Sequence, residues 1–258
     1  MSKNKIFGLY QKLREKYGHP KGQWVLWCQR PKTDKEREEV VIGAILTQRA
    51  NWRNAELAIA NLKKAKINSL KDIYKLGLKN KNKLALLIRP SGFYRQKAEC
   101  LFGLAKFILK NYGNLKELGK KEFTKSREEL LNLKGIGPET ADSILLYGLE
   151  KPVFVIDEYT RRFVKKYRLT NDCEYRFLQK LFEKNLKEDF RLYQDFHALI
   201  VIDGKGDATS AIALKNQNNF FPAKKFSLPS ALKFACGETK LSAPAGYSSR
   251  QLRKSQKE

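Results

Sequence analysis

The stretch Ser126-Arg127-Glu128-Glu129-Leu130-Leu131-Asn132-Leu133-Lys134-Gly135-Ile136-Gly137-Pro138 decides the fold. Its first part reads as a short helix that starts at Ser126, with Ser126 and Glu129 at capping-box spacing. Leu133 to Pro138 then reads as a tight turn, in which Gly135 and Gly137 can take backbone angles closed to other residues and leave the chain open to close approach. Pro138 suits the first position of a second helix, where its missing N–H is not needed, and Gly148 is placed to stop that helix. Ala141, Ile144, Leu145 and Gly148 fall on one face of it, which is predicted to pack on the first helix. Such a turn aims free N–H groups and a helix N-terminus outward, where a phosphate can sit, with Lys134 beside them. A glycine turn is also an ordinary helix connection, so by itself it leaves phosphate binding and plain packing equally open.

Downstream, the apolar run Val153-Phe154-Val155-Ile156 ends in Asp157, just ahead of Glu158-Tyr159-Thr160-Arg161-Arg162. An aspartate there can cap the following helix, and the helix N-terminus in turn favours its ionised form. Upstream, Thr33 and Glu36 form a capping box that opens a helix to about Thr47, with Val40, Val41, Ala44 and Ile45 turned inward. Helical spacing returns over residues 54–64, after Ser69-x-x-Asp72, over residues 84–88 before Arg89-Pro90, and over residues 96–112. Residues 173–186 and 190–202 complete the set. No strand alternation or internal repeat is visible, so an all-α protein is predicted.

At 258 residues with 42% hydrophobic content, the chain can bury a full core. The 52 Lys+Arg against 27 Asp+Glu give +25, an excess that suits a polyanion such as DNA or RNA, although a generally lysine-rich composition gives the same number. Cys28, Cys100, Cys173 and Cys236 make no CxxC pair, which argues against zinc or an iron–sulfur cluster and for thiols in a reducing compartment. The start lacks the apolar core of a signal peptide, and the run Ala198 to Ile202 is far too short to span a membrane. A soluble protein of the cytoplasm, at the nucleoid if DNA is the partner, is expected. After Gly204 the composition turns to scattered Ser, Ala, Pro, Asn and Lys, so residues 206–258 are expected to form a basic, poorly ordered tail beyond a domain of residues 1–205.

These signals together resemble the helix-hairpin-helix (HhH-GPD) DNA glycosylase superfamily, on the endonuclease III side, over roughly residues 24–205. Gly43-Ala44-Ile45-Leu46-Thr47-Gln48 is similar to the family's first helix end, where a glutamine fills the gap left by a flipped base. Arg89-Pro90-Ser91-Gly92-Phe93-Tyr94-Arg95-Gln96-Lys97-Ala98 resembles the loop whose bulky residue, here Phe93, wedges into the duplex. Leu133 to Ala141 resembles the hairpin, and Val155-Ile156-Asp157 the strand-like approach to the catalytic aspartate. The resemblance implies a two-lobed helical protein with double-stranded DNA between the lobes, Asp157 at the base of the cleft, and Gln48 and Phe93 on opposing walls. Gln48 would offer donor and acceptor to the orphaned base, and Asp157 would stabilise positive charge on the deoxyribose or direct a water.

Two departures matter. Bifunctional members carry a lysine after the hairpin that forms a Schiff base with the sugar; here the position is Glu139, which cannot form that adduct. A monofunctional, monomeric glycosylase is therefore expected, most similar to the 3-methyladenine branch, with Trp24, Trp27 and Tyr94 as aromatic walls for a cationic alkylated purine. The four-cysteine loop of many relatives has no counterpart after Lys205, so no iron–sulfur cluster is expected. The hairpin of the family often holds a monovalent cation on backbone carbonyls, here those of Leu131, Leu133 and Ile136. His197 is read as a helix-packing residue outside the site. A thymine or uracil mismatch glycosylase, a glycosylase/lyase using another lysine, and a non-catalytic DNA-binding module remain open.

Overall fold

The structure, a computed structural model, describes the backbone of residues 4–217 and the side chains of residues 5–206. Twelve helices follow one another among the described residues: α1 (Asn4–Tyr17), α2 (Trp24–Cys28), α3 (Asp34–Leu46), α4 (Trp52–Lys64), α5 (Leu70–Leu87), α6 (Tyr94–Asn111), α7 (Leu115–Gly119), α8 (Phe123–Leu131), α9 (Pro138–Ser143), α10 (Glu158–Lys166), α11 (Tyr175–Asn185) and α12 (Phe190–Gln217). The all-α expectation holds, and the apolar approach to Asp157 is extended chain without a strand partner.

The predicted starts at Thr33 and Ser69 are observed. Thr33 and Glu36 cap α3 reciprocally, and the Ser69 hydroxyl accepts from the Asp72 N–H. Helix α5 is broken at Asn80 (φ −159°), whose side-chain oxygen accepts from the Lys83 N–H and so restarts the helix. The five-residue helices α2 and α7 carry too little periodicity to be anticipated, whereas α1, with Ile6, Leu9, Tyr10, Leu13 and Tyr17 at helical spacing, was legible and was missed.

At the hairpin three expectations are corrected. Helix α8 starts at Phe123, not at Ser126; Glu122 is its cap, accepting from the Thr124 and Lys125 N–H groups. Ser126 is buried inside the helix, its hydroxyl donating to the Glu122 carbonyl at 3.0 Å. Gly135 has φ +87°, which requires glycine, but Gly137 is extended (φ −94°, ψ −179°) and needs none of glycine's freedom. Gly148 ends a π-helical turn (Ile144–Gly148) that continues α9, and its reason is close packing: a Cβ there would lie 2.7 Å from Val41 Cγ2 on α3. The face with Ala141, Ile144 and Leu145 is fully buried and meets α3 as well as α8.

The chain leaves a layer made of α1 and α2, builds α3 to α9, and returns to it. Tyr10 packs edge-on against Phe196, and Asp203 on α12 accepts from Tyr17 at 2.8 Å, Lys16 at 3.0 Å and Lys166 at 2.9 Å. Buried charge of this kind is tolerated because every oxygen is paired. Helix α12 runs to Gln217, fifteen residues past its expected end at Ile202 and through the expected boundary at 205. The remainder of the expected tail, residues 218–258, lies outside the described residues.

Candidate active site

A cavity of about 420 Å³ opens where the two parts of the chain meet. Trp24 and Trp27 come to it from α2, Thr47 and Gln48 from the end of α3, and Glu139 and Thr140 from α9. Asp157 enters at the start of α10, and His197, Val201 and Lys205 from α12. Trp24 and Lys205, 181 positions apart in sequence, therefore converge on one space.

Asp157 caps α10: its Oδ1 accepts from the Thr160 N–H at 2.7 Å. Its other oxygen lies 3.4 Å from His197 Nε2, and the carboxyl keeps 16% exposure, through the cavity. Burial alone would push this carboxyl up; the facing His197 and the Thr160 N–H outweigh it and hold Asp157 below the usual aspartate range. Capping and a chemical role are thus compatible in one residue, as the sequence implied.

His197 corrects an expectation. It is 4% exposed, its Nδ1 lies 2.7 Å from the Tyr147 hydroxyl, and its Nε2 has no hydrogen-bond partner apart from the long approach to Asp157. Tyr147 is also 3.2 Å from the Gln194 carbonyl, which can only accept. His197 Nε2 is thus the ring nitrogen turned toward the Asp157 carboxylate.

The aromatic wall is built from Trp24 and Trp27, 6% and 7% exposed, which meet edge-to-face at 5.8 Å and 80°. Trp24 also meets the His197 ring edge-on at 5.7 Å, and Trp52, not anticipated, meets Trp27 at 6.0 Å and joins the lining. Both tryptophans are core residues that present part of their surface to the cavity. Tyr94 does not line it; it lies at the start of α6 with the Arg95 guanidinium 5.9 Å from its ring.

Gln48 is tied to the hairpin. Its amide nitrogen donates to the Gly135 carbonyl and to Thr140 Oγ1, both at 2.9 Å. Because the Gly135 carbonyl can only accept, the amide orientation is fixed and Oε1 is the atom left to act outward, an acceptor rather than the donor–acceptor pair expected. Phe93 is 56% exposed and sits in the left-handed region (φ 44°) as the cap of α6, outside the cavity lining. Lys97, 2% exposed, donates to the Leu46 carbonyl at 2.8 Å and the Ser91 carbonyl at 2.6 Å, joining the end of α3 to the Phe93 loop.

Glu139 stands exposed at the cavity mouth, ringed by protein. The surrounding protein first, and the Asp157 charge second, push its carboxyl above the usual glutamate range, with His197 and Arg161 acting the other way. Lys205 donates to Gln23 Oε1 at 2.7 Å and is held below the usual lysine range by burial, against the pull of Asp157. Lys134 is 94% exposed beside the hairpin, 3.9 Å from Glu99. The Leu133 carbonyl accepts from the Ile136 N–H at 3.1 Å, which leaves its second lone pair for a cation. His197, Val201 and Lys205 were legible as one helix face at spacings of four, had residue 197 been read together with what faces it.

The helical architecture, the hairpin and a carboxylate-bearing cavity beside it define a base-excision repair protein of the helix-hairpin-helix type. A model of the HhH-GPD superfamily base excision DNA repair proteins matches residues 42–188, and the chain belongs to that superfamily. It is 43% identical over 207 residues to a Methanocaldococcus jannaschii protein named as a DNA repair glycosylase, covering 78% of this chain and 89% of that one. The H. pylori 3-methyladenine DNA glycosylase MagIII, solved bound to 1,N6-ethenoadenine, superposes with a TM-score of 0.65 at 32% identity, over 78% of this chain and 98% of that one. Endonuclease III of Thermotoga maritima is 31% identical over 134 residues, 51% of this chain and 58% of that protein. The chain is thus a DNA glycosylase of this superfamily. No helix among the described residues is long and apolar enough to cross a membrane.

Proposed function

We infer that the protein is a monofunctional glycosylase that hydrolyses a damaged, alkylated purine from double-stranded DNA and leaves an abasic site. The observation that carries this reading is the ionised Asp157 carboxylate facing a tryptophan-walled cavity in which Glu139 stands where a lyase lysine would. A flipped base enters the cavity and stacks on Trp24 and Trp27, whose electron-rich faces favour a cationic ring. As the glycosidic bond breaks, positive charge grows on the sugar, and the fixed Asp157 carboxylate stabilises it in a site sheltered from water. The same carboxylate takes the proton of the attacking water, whose oxygen bonds to C1′.

The hairpin presents Gly135, Gly137 and Lys134 to the phosphate backbone, Gln48 Oε1 meets the orphaned base, and Phe93 wedges into the stack. A monovalent cation on the carbonyls of Leu131, Leu133 and Ile136 would reinforce the hairpin against phosphate. The enzyme acts as a monomer at the nucleoid and requires no redox cofactor. Similarity to MagIII over 98% of that chain supports the choice of an alkylated purine. The test is strand analysis of lesion-bearing duplexes with and without alkali. Breaks only after alkali are expected. Breaks without alkali, or an adduct trapped by borohydride, would mean that a lysine, Lys205 foremost, performs lyase chemistry.

A further inference from the structure

Three carboxyl groups line the cavity, those of Glu139, Asp157 and Glu158; hydrolysis as derived above uses only Asp157, and Glu158 faces Arg162 at 3.6 Å. We propose that Glu139 is the proton donor to the departing base, so that the cavity serves neutral purine adducts as well as cationic ones. The inference rests on the glycosylase reading above and adds a substrate class to it. A cationic N-alkylpurine leaves the sugar as a neutral base and needs no proton. A neutral purine adduct would leave as an anion unless a ring nitrogen is protonated as the bond breaks. An acid at the cavity wall therefore matters for the second class alone.

Glu139 is placed for this. It rises from the first turn of α9 and lines the same cavity as Asp157 at the start of α10. The charged and titratable groups around it are Asp157, Glu158 and Arg161 of α10 together with His197 and Lys205 of α12. Two carboxyls facing one space do not both ionise easily, and the one with better support for its charge keeps it. Asp157 has the Thr160 N–H and the facing His197, whereas Glu139 stands beside the Asp157 charge. In the free protein Glu139 meets solvent. A seated base and the duplex over the mouth remove that water and bring phosphate charge near, both favouring the protonated acid.

In the step, the Glu139 proton moves to a ring nitrogen of the base. The C1′–N bond breaks with its electron pair staying on the base. Water oxygen bonds to C1′, and Asp157 takes the water proton. The products are the neutral base and an abasic sugar; the proton held by Asp157 returns through solvent to Glu139, so nothing else is consumed.

The test is single-turnover release from duplexes carrying 1,N6-ethenoadenine, a neutral adduct, or 3-methyladenine, a cationic one, by the full chain and its E139Q and D157N variants. Glutamine keeps the shape and cannot surrender a proton. The expected result is release of both bases by the wild type, and a roughly 100-fold fall in the neutral-to-cationic rate ratio for E139Q. Thermal denaturation with a wild-type midpoint reports that E139Q is folded. An unchanged ratio, or wild-type release of the cationic base alone, overturns the proton donor and leaves the glycosylase reading standing. Release of neither base by the wild type overturns both.

Discussion

Asp157, His197 and Phe93 carry most of the account at the residue scale. Asp157 was legible because its place after an apolar run and before a helix matches a family pattern; His197 was not, because nothing in its own helix announces a carboxylate from α10 lying 3.4 Å away. Removing the imidazole has a signed consequence. On the proposed mechanism Asp157 acts ionised, and since it is held below the usual range, activity is expected to persist as pH falls until that depressed value is reached. In His197→Leu, burial is no longer outweighed, the carboxyl moves up, and the acid limb of the kcat profile shifts to higher pH. A profile that coincides with wild type would remove His197 from the site.

Phe93 is the second case. Its left-handed backbone costs a non-glycine residue about 1 kcal/mol, and glycine would relieve this while adding a similar entropy loss on folding. Phe93→Gly is therefore expected to stay within about 1 kcal/mol of wild type in chemical denaturation, while base release drops by about tenfold or more. A proportional loss of stability and activity would instead make Phe93 a packing residue.

Elements show where sequence reading stops. Helices with long apolar stripes or caps, α3, α4, α5 and α6, were anticipated, and their positions fix the frame. The short α2 and α7 were not, since five residues hold barely more than one turn of periodicity. At α8, Glu122 won the capping role that Ser126 was expected to fill, because the preceding residues add a turn and the Ser126 hydroxyl satisfies itself on the Glu122 carbonyl. The tie between α3 and the Phe93 loop is likewise invisible in sequence: a buried lysine breaks the expectation that lysines face water. Burial lowers Lys97 to about 8, and its two carbonyl acceptors compensate only in part. In Lys97→Met both acceptors lose their donor, at about 1–3 kcal/mol each, offset by relief of the desolvated charge. We expect net destabilisation of about 2 kcal/mol and slower base release than in wild type, read by denaturation and single-turnover assay. Wild-type values in both would mean that the two loops hold their places unaided.

At the scale of the whole molecule, the chain folds back so that its first and last described helices share one layer, and the cavity forms where that layer meets the hairpin. The order of motifs foretold this meeting in outline, because four signals in family order constrain which ends of which helices face DNA. It did not foretell the lining contributed by α12, nor the continuation of that helix to Gln217, since composition changes at Gly204 while the backbone stays helical. Excess positive charge of +25 suits a phosphate backbone and says nothing of which base is removed; on the proposed reading that selectivity would come from the tryptophan walls and from Glu139 and Asp157.

The central claim is that one carboxylate, Asp157, performs the chemistry. The most direct measurement is single-turnover base release by wild type and Asp157→Asn on a duplex with one alkylated purine, with DNA affinity measured alongside. Asparagine keeps the size and a capping oxygen for the Thr160 N–H but not the charge. The account predicts a loss of at least roughly 100-fold in release with near wild-type binding. Release at the wild-type rate by Asp157→Asn would contradict it.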